Sequence, residues 1–117
     1  MWDYGTTLRL VKEMLSGFDV NLIFVHVLLP HWPFIYNAKS DSMMPYNFSP
    51  LGYFDNLVLT DKFLGEIRHT LENAGLWDST VVLITSDHPW RKVHRYDKKG
   101  DRRVPFLLKM PGQKESL

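Results

Sequence analysis

Apolar residues follow two rhythms along this chain. Leu8, Val11 and Leu15 recur at helical spacing, with Thr6 or Thr7 placed to cap the segment and Gly17 to stop it. They predict a short amphipathic helix ending near Ser16. From Val20 the helical rhythm disappears: Val20-Asn-Leu-Ile-Phe-Val-His-Val-Leu-Leu is dense in strand formers on both faces, as in a central strand covered on each side. Pro30 ends it. The helical period returns after Ser49-Pro50, where Leu57, Leu64, Ile67 and Leu71 share a face with Phe54 and Phe63 beside them, and Gly75 closes the segment. Leu76-Trp-Asp-Ser reads as a turn into another apolar, β-branched run, Thr80 to Ser86. Val104-Pro-Phe-Leu-Leu-Lys-Met supplies a last strand, with Pro105 near its start favouring an edge or strand-start position.

The order helix, strand, long loop, helix, strand, loop, strand is an α/β pattern in which helices serve as crossovers. It predicts a single domain over 1–117 with no internal repeat. The long loop, His31 to Pro50, combines prolines, asparagines and serines with Trp32, Phe34, Tyr36, Tyr46 and Phe48. A loop of that length with so many rings is either a binding loop or one pinned to the surface by its aromatics.

Composition narrows the function classes. In 117 residues, 14 Lys+Arg against 13 Asp+Glu leave a formal charge of +1, so the overall balance gives no footprint for a nucleic-acid partner. The local exception is the basic stretch Arg91 to Arg103. There is no cysteine, hence no disulfide framework. The run from Val20 to Pro30, broken by Asn21 and His26, is far short of the ~20 apolar residues that cross a bilayer. The first residues, Met-Trp-Asp-Tyr-Gly, lack the features of a secretory signal, and the compartment is left open.

Candidate chemistry gathers where strands end, because ligands of open α/β sheets collect at the carboxyl ends of strands. Two such ends carry histidine: Leu29-Pro30-His31 and Ser86-Asp87-His88. Asp87 offers a hard oxygen and His88 a borderline nitrogen to a divalent ion, with the alternative that Asp87 merely caps a turn. His31 could ligate metal, hold an anionic substrate, or anchor the aromatic loop beside Trp32. In the basic stretch, Arg91 is the best substrate-binding candidate, since a guanidinium takes phosphate or sulfate bidentately. His94 is a further candidate for a metal or the substrate anion. His26, inside a strand, reads as a satisfied core histidine, and His69 as an exposed helix residue. Asp61 on that helix reads equally as a surface or capping group.

Four stretches in order carry a family resemblance: Pro30-His31-Trp-Pro-Phe; the helix Asp61-Lys-Phe-Leu-Gly-Glu-Ile-Arg-His-Thr-Leu-Glu-Asn-Ala-Gly and its turn; Ser86-Asp87-His88 after a β-branched strand; and Val104-Pro105-Phe with Pro111-Gly112. From about Val20 to Gly112 the chain resembles the carboxyl-terminal part of a sulfatase-like domain of the alkaline phosphatase superfamily. The resemblance implies a partial sandwich, a mostly parallel sheet flanked by helices, forming a fragment of a larger catalytic domain. It also implies a metal-dependent hydrolase or transferase acting on phosphate or sulfate esters. A Ser, Thr or formylglycine nucleophile attacks phosphorus or sulfur while bound metal stabilises the developing charge.

By that resemblance Asp87 and His88 are metal ligands, and His31 contacts the transferred group or a second metal. No residue of this chain is assigned as nucleophile, so the isolated chain is expected to show little turnover. Pro89 stands where the family carries glycine, fixing φ and removing an amide donor after the pair. Imidazole ligation favours Zn or Mn over Ca. The rival expectation is a non-catalytic binding module that presents its aromatic and basic loops to a partner. A fragment of a sheet would also leave an unpaired edge, predicting self-association.

Overall fold

The computed structural model describes residues 3–17, 19–90 and 98–114. The chain divides into two compact units, Met1–Gly75 and Leu76–Leu117.

The first unit is built on two helices. Helix α1, Tyr4–Gly17, is capped by Asp3 rather than by a threonine: the Thr6 amide donates to Asp3 Oδ2 at 2.6 Å, and the Thr7 amide and hydroxyl both reach the Asp3 carbonyl. The hydrogen bonds from Thr6 hold the Asp3 carboxyl below its usual range. Helix α2, Gly52–Asn73, ends as its sequence suggests, with Gly75 in the left-handed region at φ 68° and its amide on the Glu72 carbonyl. Val11 of α1 and Leu59, Phe63 and Leu71 of α2 are buried, the Tyr4 ring meets Phe63 edge-on at 6.0 Å, and Lys12 pairs with Glu66 at 2.7 Å. Within the aromatic loop a two-residue antiparallel ladder forms between β1, Tyr36–Asn37, and β2, Ser42–Met43, and Tyr36 completes the buried core.

In the second unit a 3-10 turn at Trp77–Ser79 precedes β3, Val82–Thr85, which pairs antiparallel with β4, Phe106–Lys109, in the register Val82 with Lys109 through Thr85 with Phe106. Lys109 folds back over the Trp77 ring at 4.6 Å and donates to the carbonyls of Trp77 and Thr80. The Gly112 amide reaches the Asp78 carbonyl at 2.7 Å, and Pro105 stands just before β4, where no ladder amide is lost.

The expected α/β sandwich with a mostly parallel sheet is therefore corrected. The described residues form two helices and two small antiparallel two-stranded sheets, with no parallel sheet. Two physical reasons account for the difference. A parallel pair needs a crossover between its strands, and the link from β3 to β4 contains no helix among its described residues, so the two run antiparallel. The run from Val20 to Leu29, expected as the central strand, has no ladder partner among the described residues. It keeps only a strand's period: Ile23, Val25 and Val27 are half-buried, while Leu22, Phe24 and His26 are exposed.

Candidate functional site

Asp87 and His88 follow β3 directly. The alternation along β3, half-buried at Val82 and Ile84 and exposed at Leu83 and Thr85, continues through half-buried Ser86, exposed Asp87 and half-buried His88. The bend after the strand is fixed locally by the Ser86 hydroxyl, which donates to the His88 carbonyl at 2.7 Å. His88 Nδ1 lies 2.9 Å from the Pro89 carbonyl. A carbonyl only accepts, so Nδ1 carries the proton and Nε2 is the basic nitrogen of the neutral ring. Nε2 stands 4.0 Å from Asp87 Oδ1.

That arrangement orients His88 as a metal ligand. Histidine ligands characteristically give their other ring N–H to a carbonyl or carboxylate, as His88 does, while two donors on one tetrahedral ion stand ~3.4 Å apart, so Nε2 and Oδ1 must close from 4.0 Å to share an ion. The fit is to part of a coordination set: among the described residues no three His, Cys, Asp or Glu side chains group so as to hold a metal. Pro89, the departure from the family pattern, retains the carbonyl this geometry uses.

His31 lies in the first unit, exposed, with Nδ1 2.6 Å from the Trp32 carbonyl. The peptide bonds Leu29–Pro30 and Trp32–Pro33 on either side are cis. The surrounding segment is held by side chains from the start of α2 and the loop before it. The Asn56 side chain accepts from the Ile35 amide at 3.1 Å and donates toward the carbonyls of His31 at 3.1 Å and of Pro30 and Pro33 at 3.4 Å. Asn47 donates to the Tyr36 carbonyl and to Asp55 Oδ2, both at 2.6 Å. Leu28, Leu29, His31, Pro33, Ile35, Pro45 and Tyr46 line a mostly apolar pocket of about 240 Å³. Trp32, Tyr46 and Phe48 form a row of neighbouring rings, with centroids 6.2 and 5.9 Å apart, all three exposed.

Of the residues expected from sequence, Asp87 and His88 are brought together, and His31 belongs to the other unit. Arg91 and His94 lie outside the described residues. His26, expected as a core histidine, is exposed in a segment that has no partner strand among the described residues. Asp61 and His69 are exposed on α2. In the basic stretch, Arg103 is committed to Asp101, with Nε 2.9 Å from Oδ2, and its guanidinium holds the Asp101 carboxyl down at about 2. Asn56 and Asn47 were missed. Asn56 had a signal: with Gly52, Leu59 and Phe63 it falls on the inward stripe of α2, where a polar residue must find partners.

The profile of the family described as Sulfatase matches residues 19–116. The chain belongs to the sulfatase family, within the alkaline phosphatase superfamily, as its residues suggested. An ulvan-active sulfatase of Formosa agariphila is 28% identical over 78% of this chain, lipoteichoic acid synthase 1 of Bacillus subtilis 24% over 89%, and a choline-sulfatase of Rhizobium meliloti 32% over 51%. The matches cover 23%, 18% and 13% of those proteins, so the chain corresponds to part of a sulfatase domain. No solved structure matches it significantly.

Proposed function

We propose that this chain carries part of the site of a metal-dependent enzyme that processes phosphate or sulfate esters, as one piece of a larger sulfatase-like catalytic domain. The observation that carries the reading is the Asp87-His88 pair, with its Nδ1 bond to the Pro89 carbonyl and its 4.0 Å separation between Nε2 and Oδ1. Asp87 and His88 are the proposed metal ligands, and zinc or manganese suits the mixed oxygen and nitrogen pair better than calcium. The ion, when bound, would stabilise negative charge developing on the transferred group. His31, Arg91 and His94 are the proposed contacts to the anionic ester. The nucleophile comes from sequence other than this chain, so the chain alone has little turnover. Sulfatases and a synthase both occur among the relatives, so hydrolysis and transfer both fit the reading.

Calorimetric titration of the chain with Zn²⁺ or Mn²⁺, beside the variant carrying both Asp87→Ala and His88→Ala, tests the metal assignment. Saturable uptake that disappears in the double variant is expected. Equal uptake by both proteins removes the assignment.

A second reading, a non-catalytic binding module derived from the fold, is favoured by the exposed row Trp32, Tyr46 and Phe48. It predicts partner binding that is lost on Trp32→Ala and indifferent to Asp87→Ala.

A further inference from the structure

We infer that Asn56 is the positioning residue of the His31 loop, fixing the path of the backbone that carries the imidazole. Asn56 has no solvent exposure and is one of two buried polar residues among those described. A buried carboxamide is tolerated only where its two donors and its acceptor oxygen are satisfied, and here its partners lie in a single short segment, residues 30–35. The Ile35 amide donates to Oδ1, and Nδ2 faces the carbonyls of Pro30, His31 and Pro33.

Backbone partners from the neighbouring stretch of chain serve only the end of that segment, where the Met44 amide donates to the Ile35 carbonyl at 2.9 Å and the Asn47 amide to the Phe34 carbonyl at 2.6 Å, and two of its residues are prolines without an amide to donate. Asn56 therefore serves, for the Ile35 amide and the carbonyls of Pro30, His31 and Pro33, as the partner that a neighbouring strand would otherwise provide. The clamp rests on a firm base. One turn earlier on α2, a side chain at Gly52 would place its Cβ 2.6 Å from the Phe34 ring; one and two turns later Leu59 and Phe63 are buried in the core. A loop held by a packed helix keeps its functional side chain within the small tolerance an anion contact needs. Any consequence for anion binding rests on the role proposed above for His31.

The test uses the full chain and three readouts: amide hydrogen exchange at Ile35, the His31 imidazole signals by NMR, and the shift of those signals on adding inorganic sulfate. In the unmodified chain the Ile35 amide is expected to be as protected as amides in the middle of α2. Exchange as fast as that of an exposed loop amide overturns the inference without any variant. Asn56→Leu should speed Ile35 exchange about tenfold or more and displace or broaden the His31 signals. Asn47→Ala, which removes a neighbouring buried amide bonded to Tyr36 and Asp55 instead, should lower stability while leaving the His31 signals in place.

If both variants move the His31 signals equally, Asn56 is only one of several structural groups and the inference fails. Should Asn56→Leu not fold, Asn56→Gln and the exchange of the unmodified chain decide. The longer side chain shifts the clamp, and an undisturbed His31 overturns it. Sulfate separates this inference from the reading it rests on. No sulfate-dependent shift in the unmodified chain removes the anion contact, while the exchange data still judge the clamp.

Discussion

Phe63 and Asn56 lie two turns apart on α2, both without solvent exposure to speak of, and each needs the interior for a different reason. Phe63 contributes by leaving water and packing against Tyr4. Phe63→Ala should cost about 3–5 kcal/mol, read as a lower urea midpoint with an unchanged slope. For Asn56 burial is a cost, offset only by the backbone groups it satisfies. Charged residues at the surface behave differently again. Asp101, half-buried and fastened to Arg103, titrates at about 2 against an ordinary value of 3.8. Its carboxyl binds a proton less readily in the folded chain, so its contribution is complete above about pH 4 and is lost as pH falls through about 2. The Asp101 carboxyl carbon should show that low midpoint by NMR, rising toward 3.8 in Arg103→Ala and in high salt, where exposed pairs are screened. A midpoint near 3.8 in the unmodified chain would show that the pair does not persist in solution.

At the scale of elements, the close approach of α2 to the aromatic loop depends on Gly52. A Cβ there would lie 2.6 Å from Phe34 Cδ2 and 3.1 Å from the Asn47 carbonyl oxygen. Gly52→Ala should destabilise the chain by about 1–3 kcal/mol despite alanine's better helix propensity, with Phe34→Leu recovering part of the loss in the same denaturation assay. The two helices and both strands of the β3–β4 pair were legible in the sequence, because each follows from local spacing and punctuation: the apolar stripe of α2, Gly75 past its end, Pro105 before β4.

What was not legible depended on partners. Val20 to Leu29 has the composition of a central strand, yet a strand exists only where another segment takes its amides and carbonyls, and none does among the described residues. Parallel pairing failed for another reason: the described part of the link from β3 to β4 holds no crossover helix. Asp3 displaced the expected threonine caps because its carboxylate accepts from Thr6 while its carbonyl accepts from Thr7. At the site, the Asp87-His88 pair was readable as adjacent ligand types at a strand end. The orientation of His88 was not, since it depends on a carbonyl one residue further on. The role of Asn56 required knowing which way α2 faces.

For the whole molecule, the dominant feature is apolar surface that no other described residue covers. Leu22 and Phe24 are 85% and 86% exposed, and Phe106, Leu107 and Leu108 of β4 are exposed as well. Surface of this kind together with unpaired backbone favours association between copies. The weight-average mass from light scattering should rise with protein concentration, and Leu22→Lys with Phe24→Lys should suppress the rise. A constant monomer mass at high concentration would contradict the expectation.

The chain matches a sulfatase profile over residues 19–116 while covering less than a quarter of each relative named above, so its chemistry is that of a part. The central claim is that this part holds a metal through the end of β3. The most direct measurement is substoichiometric Mn²⁺ added while the imidazole signals are followed by NMR, since the paramagnetic ion broadens only nearby nuclei. The His88 signals are expected to vanish first, His26 and His69 to remain sharp, and Asp87→Asn to abolish the selectivity. Uniform broadening of all imidazoles, or loss of His69 before His88, would contradict the claim.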